Sequence, residues 1–119
     1  MQTAKKDLII IDGYADKTVL DMISNLSIKV TLIVKTKSLI KDLDIKKYRE
    51  QYDNLHLIYD DSFHDRYIIL DRKEVYHCGA SLNHAGNRTF SVNILEDKFV
   101  KENLIRNVEK LIERCLKCS

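Results

Sequence analysis

Apolar and polar positions along this chain change period several times, and each change marks an element. "DLIIID" (7–12) is a short apolar run bounded by aspartates and rich in β-branched residues, the pattern of a buried strand. After Asp12-Gly13, residues Val19, Leu20, Ile23 and Leu26 recur at helical spacing, with Asp16 placed to act as N-cap. "IKVTLIVK" (28–35) alternates Ile28, Val30, Leu32 and Val34 and reads as a second strand. "SLIKDLDIKKYREQYD" predicts an amphipathic helix with Ser38 as N-cap and Leu39, Leu43 and Tyr48 among its apolar positions. "LHLIY" (55–59) follows as a third strand.

From there the period stays at two. "DRYIILD", "EVYHCG" and "RTFSVNIL" are three β-like runs separated by short polar turns. The closing "KFVKENLIRNVEKLIERCLK" predicts a long helix with Phe99, Val100, Leu104, Ile105, Val108, Leu111 and Ile112 in one apolar stripe. The order β-α-β-α-β-β-β-β-α predicts an α/β sandwich with a mixed sheet. Its early strands should be joined by right-handed crossovers and its later ones should run antiparallel.

Composition narrows this further. With 119 residues, 45% hydrophobic, no proline and three glycines, the chain reads as a single domain over 1–119 without a flexible linker. The net charge of +2 comes from interspersed charges of both signs, which excludes a strongly basic nucleic-acid coat. Any affinity for nucleic acid must come from a local patch, expected around Arg66, Arg72, Lys73 and Arg88. The longest apolar runs fall far short of the ~20 residues that span a bilayer, so no membrane partner is expected. "MQTAKKD" lacks the apolar core of a signal peptide, which makes the cytoplasm the expected location. The chain can equally be read as the C-terminal domain of a longer protein with an N-terminal partner domain. Cys78, Cys115 and Cys118 are odd in number and fit a reducing compartment. "CLKC" lacks the second Cys/His pair that a structural zinc needs, so it reads as helix-end thiols.

The chemistry concentrates in "HDRYIILD" (64–71). On a strand, side chains at i and i+2 share a face, so His64 and Arg66 project together. Asp71 has the opposite parity and should lie near a turn rather than beside the imidazole. "GASLN" (79–83) follows, with small residues that let backbone amides approach an anion, and with Ser81 and Asn83 as neutral donors. A nucleophile candidate, a cation and a neutral polar loop within about one hairpin are the parts of phosphodiester chemistry. His84 follows the loop and is a supporting candidate for ligand contact. His77, Tyr14 and Tyr67 read as packing residues, and His56 as a surface strand position. Strand parity separates His64 from His77, which argues against a metal site among the histidines.

"HDRYIILD" resembles the His-x-Lys-x4-Asp signature of the phospholipase D superfamily, with Arg66 in the lysine position. "GASLN" resembles that family's Gly-Ser-x-Asn element with one residue inserted. The predicted element order is also that of a half-unit of the phospholipase D fold. The resemblance is particularly to the phospholipase-D-like domains that follow phage-antirepressor or nucleic-acid-binding modules in bacterial proteins.

The resemblance implies a metal-independent phosphodiesterase, without a cofactor, acting through a phosphohistidine. His64 would be the nucleophile or acid, Arg66 and Asn83 would hold phosphate, Asp71 would support the site, and Ser81 would add a phosphate contact. Glu96 would be the downstream carboxylate that steadies a histidine. One signature is half a site, so the resemblance implies a homodimer, with nucleic acid as the expected substrate. A second reading, from another class, is a catalytically weak phosphate- or nucleic-acid-binding or dimerisation domain of a larger bacterial or phage-type regulator. A third is a plain α/β scaffold.

Overall fold

The structure is a computed structural model that describes residues 7–13, 15, 17–37, 40–63, 66–82 and 88–117. Six strands and three helices follow in the predicted order: β1 (Asp7–Ile11), α1 (Lys17–Ile23), β2 (Lys29–Val34), α2 (Asp42–Gln51), β3 (Leu55–Tyr59), β4 (Arg66–Leu70), β5 (Glu74–Leu82), β6 (Arg88–Ile94) and α3 (Lys98–Lys117). The strands form one mixed sheet in the order β3-β2-β1-β4-β5-β6. β1, β2 and β3 are parallel, while β4, β5 and β6 join them antiparallel, beginning with β4 against β1.

Strand parity divides the core in two. Leu8, Ile10, Val30, Leu32, Val34 and Leu70 face one way, and Leu20 and Ile23 of α1 and Ile45 and Tyr48 of α2 cover them. Ile9, Ile11, Ile33, Ile58, Ile69 and Val75 face the other way, under Val108, Leu111 and Ile112 of α3. With helices on both faces, the central strands must be apolar at consecutive positions, which explains the unbroken "LIII" of β1. β2 behaves likewise: Thr31 and Ile33 are buried as fully as the alternating positions that first mark it as a strand.

Two local expectations are corrected. The second helix begins at Asp42 with Lys41 as N-cap, not at Ser38, because the Asp44 carboxylate accepts the Lys41 N–H at 3.2 Å. Ser38 and the expected cap Asp16 both lie outside the described residues. The α3 stripe is shorter than its periodicity implies, since Phe99 is 81% exposed and Val100 is exposed too. Among the described residues, the apolar side chains of α3 that pack on the sheet begin at Leu104. Among the described residues, no helix is long and apolar enough to cross a membrane.

Candidate functional site

The parallel strands end together, and that edge is where an open α/β sheet binds ligands. β1 gives way to Asp12, whose N–H donates to the Ile33 carbonyl at 3.0 Å. β2 gives way to Lys35, and β3 to Asp60, whose N–H donates to the Val34 carbonyl at 2.8 Å. A Cβ at Gly13 would come within 2.8 Å of Lys35 Cγ, so a larger residue there requires the Lys35 side chain to move.

Because β3 is an edge strand and β4 lies beyond β1, the connection between them must pass the ends of β2 and β1. That is three strand spacings, or ~14 Å. Asp61 anchors the crossing by accepting the Thr36 N–H at 2.9 Å and the Thr36 hydroxyl at 3.0 Å. These two bonds hold the Asp61 carboxyl below its ordinary range. Asp60 braces the next residue but one, accepting the N–H of Ser62 at 2.7 Å and bonding its hydroxyl. Phe63 then packs on the α3 side of the core.

Arg66 opens β4 at this edge, opposite Cys78 of β5. Its Nε lies 3.8 Å from Asp12 Oδ1, with the arginine side chain 34% exposed and that of Asp12 16%. That separation exceeds a hydrogen bond, so the carboxylate attracts the guanidinium without capturing it at this nitrogen. Burial pushes the Cys78 thiol up, more than the Arg66 charge draws it down, so Cys78 is no thiolate nucleophile at neutral pH. His77 points the other way and stacks at 5.2 Å with Tyr67, the packing role expected of both.

The other candidates separate. Ser81 belongs to β5, in register with Thr89 and three positions past Cys78. His64, Asn83 and His84 lie outside the described residues. Asp71 does sit at a turn, but at the far end of β4, five residues and so ~17 Å from Arg66. There its N–H donates to the Asp7 carbonyl at 3.0 Å and its carboxylate accepts the Asp7 N–H at 3.2 Å, fastening the β4–β5 turn to β1. Both Asp71 and Arg72 adopt positive φ in that turn, at 54° and 57°. Asp71 therefore positions the strand and does not touch a phosphate at Arg66.

Glu96 is also remote. β6 runs from Arg88, opposite Leu82, to Ile94, opposite Tyr76, so Glu96 emerges exposed at the Asp71 end of the sheet. The expected basic patch is divided for the same reason, with Arg66 at one edge and Arg72 and Lys73 at the other. Arg72 is engaged there by Asp7 at 2.9 Å and Glu109 at 3.5 Å.

Sequence reasoning missed Asp12 as the neighbour of Arg66. Its position after an apolar strand marks a turn, and only sheet order brings β1 beside β4. It also missed a cleft of about 710 Å³ between residues 60–63 and α3, lined by Phe63, Asn107, Lys110 and Arg114 among others. Among the described residues, no group of three His, Cys, Asp or Glu side chains is placed to hold a metal ion. No protein-family model matches the chain, and no curated protein matches it.

Proposed function

We propose that this chain is a phospholipase-D-like phosphodiesterase half-unit that acts on nucleic acid as a homodimer. The observation that carries the reading is the place of Arg66. It stands two residues after His64, at the ligand-binding edge of the sheet, with a partly exposed guanidinium. A fork of N–H donors there suits a phosphodiester bidentately. In the reaction, His64 of one copy attacks phosphorus, and the leaving oxygen takes a proton from His64 of the second copy. Water then attacks phosphorus and the N–P bond breaks, freeing the His64 imidazole, with the second imidazole accepting the water's proton. Arg66 holds the nonbridging oxygens, joined by Asn83, while Asp71 fixes the strand that carries Arg66. Ser81, three positions past the Cys78 that pairs with Arg66, stands apart from that phosphate.

Asp12 favours a second reading, a phosphate or nucleic-acid binder with little turnover. A carboxylate 3.8 Å from the arginine competes with the substrate for its charge. Cleavage of bis(p-nitrophenyl) phosphate and labelled oligonucleotides in EDTA separates the two. For the enzyme, turnover persists in EDTA, disappears in His64→Ala, and is retained or raised in Arg66→Lys. Cleavage undiminished in His64→Ala, or abolished by EDTA, overturns the mechanism. Phosphate binding without turnover in any of these proteins selects the binder.

A further inference from the structure

We propose that Asp12 tunes the Arg66 site to singly charged phosphodiesters and against doubly charged phosphomonoesters. This rests on the phosphodiester reading above and deepens it by assigning the selection of substrate charge to one carboxylate at the end of β1.

Asp12 is fixed before any ligand arrives. Its N–H donates to the Ile33 carbonyl at 3.0 Å and its carbonyl accepts the Ala15 N–H at 3.3 Å, so its backbone is held from both sides. Its side chain is only 16% exposed and carries Oδ1 to 3.8 Å from Arg66 Nε. Burial raises the Cys78 thiol, Arg66 draws it down and Asp12 pushes it up again, so both charges reach the same neighbour. Carboxylate, guanidinium and thiol therefore share one locus where β1, β4 and β5 lie side by side.

The rest of this edge is balanced as well. Among the described residues of the strand ends, Lys35, Lys37 and Arg66 stand against Asp12, Asp60 and Asp61. Asp61 is bonded by Thr36 and lies within electrostatic reach of Lys35 and Lys37. An incoming phosphate thus meets Arg66 in surroundings that carry no excess of positive charge.

That balance decides between phosphates because attraction and desolvation scale differently. Attraction to the guanidinium grows in proportion to the charge of the ligand, whereas the cost of stripping its water grows with the square. A basic pocket offsets the second charge; Arg66 beside Asp12 does not. A phosphate on the guanidinium fork stands ~8 Å from the Asp12 carboxylate, the observed 3.8 Å plus a contact of ~4 Å. At an effective dielectric of about 20, one added charge at that distance is worth about thirtyfold in affinity, which solvent screening reduces to about tenfold.

The test is isothermal titration calorimetry on the full chain at pH 8. It compares methyl phenyl phosphate, a monoanion, with phenyl phosphate, whose second pKa of about 6 makes it a dianion there. Circular dichroism verifies the fold of each variant. Wild-type protein should bind the diester more tightly. Asp12→Asn should gain about tenfold for the diester and about a hundredfold for the monoester, shifting their ratio about tenfold toward the dianion. A merely structural Asp12 would weaken or spare both ligands alike and leave that ratio in place. Wild-type protein that prefers the dianion, or a ratio in Asp12→Asn within twofold of wild type, overturns the proposal; the first result needs no variant to fold. Arg66→Gln should lose both ligands. If the diester binds through Arg66 but the ratio does not move, the role of Asp12 is wrong and the phosphodiester reading stands. If neither ligand binds wild-type protein, or both bind Arg66→Gln unchanged, that reading falls with it.

Discussion

Asn54 joins three elements, and replacing it tests how the layer under the candidate site is held. Its amide nitrogen lies 3.4, 3.2 and 3.3 Å from the carbonyls of Ile23, Leu26 and Ile28, the residues that end α1 and lead into β2. Its side-chain oxygen accepts the Tyr48 hydroxyl of α2 at 2.6 Å. An amide nitrogen has two hydrogens, so no more than two carbonyls are satisfied at once. Asn54→Ala removes those two bonds, at about 1 kcal/mol each, and strands the hydroxyl of a tyrosine only 6% exposed, at a further ~1 kcal/mol or more. The expected loss is about 3 kcal/mol, equivalent to a melting temperature lower by roughly 12 °C in a domain of this size. Tyr48→Phe removes the hydroxyl itself and should cost only about 1 kcal/mol. In the double variant no hydroxyl is left stranded, so the combined loss should fall ~1 kcal/mol short of the sum. Urea titrations of the three variants and the wild type measure the whole cycle. A loss below ~1 kcal/mol for Asn54→Ala, or additivity within ~0.5 kcal/mol, would refute the accounting.

Two further outcomes follow from groups away from the site. Arg72→Ala should cost about 1–2 kcal/mol in urea denaturation, because Asp7 has one oxygen buried without a partner and relies on the guanidinium for the other. Arg72→Gly should cost less than alanine, since glycine adopts φ 57° without the Cβ penalty; the reverse ranking would count against strain in that turn. His56 is held below its ordinary range first by burial and then by Lys29 and Arg49. Between its folded value and about 6.5 the unfolded chain binds more protons, so stability rises with pH through that window and is lost as pH falls through it. Melts from pH 5 to 7.5 should show a shallower slope in His56→Gln, and identical slopes would remove His56 as the cause.

Much of the layout was legible in the chain because burial leaves a periodic mark. β3 and α3 were readable to their end residues, and the change from helix-separated to turn-separated strands was enough to place the parallel-to-antiparallel switch. Periodicity reports which side of an element is apolar, but not whether anything lies against it. Phe99 and Val100 keep the spacing of a buried stripe, yet they stand beyond the sheet in contact with solvent.

The candidate site divides along the same line. His64, Arg66 and the "GASLN" loop could be singled out because their chemistry is local and a strand's two-residue period relates neighbours. Which end of the sheet each residue occupies is set by strand order and direction, and those depend on contacts distant in sequence. Asp71 was expected at a turn by its parity, and Glu96 was placed at the site only by the family resemblance. An extended strand of five residues nevertheless carries Asp71 to the opposite edge, and the antiparallel return of β6 delivers Glu96 to that edge as well. Asp12 is far from Arg66 in sequence, and the insertion of β4 beside β1 makes them neighbours. Pattern alone determined the elements and the local chemical candidates; tertiary structure decided the neighbours, because sheet pairing joins segments whose separation along the chain carries no information about distance.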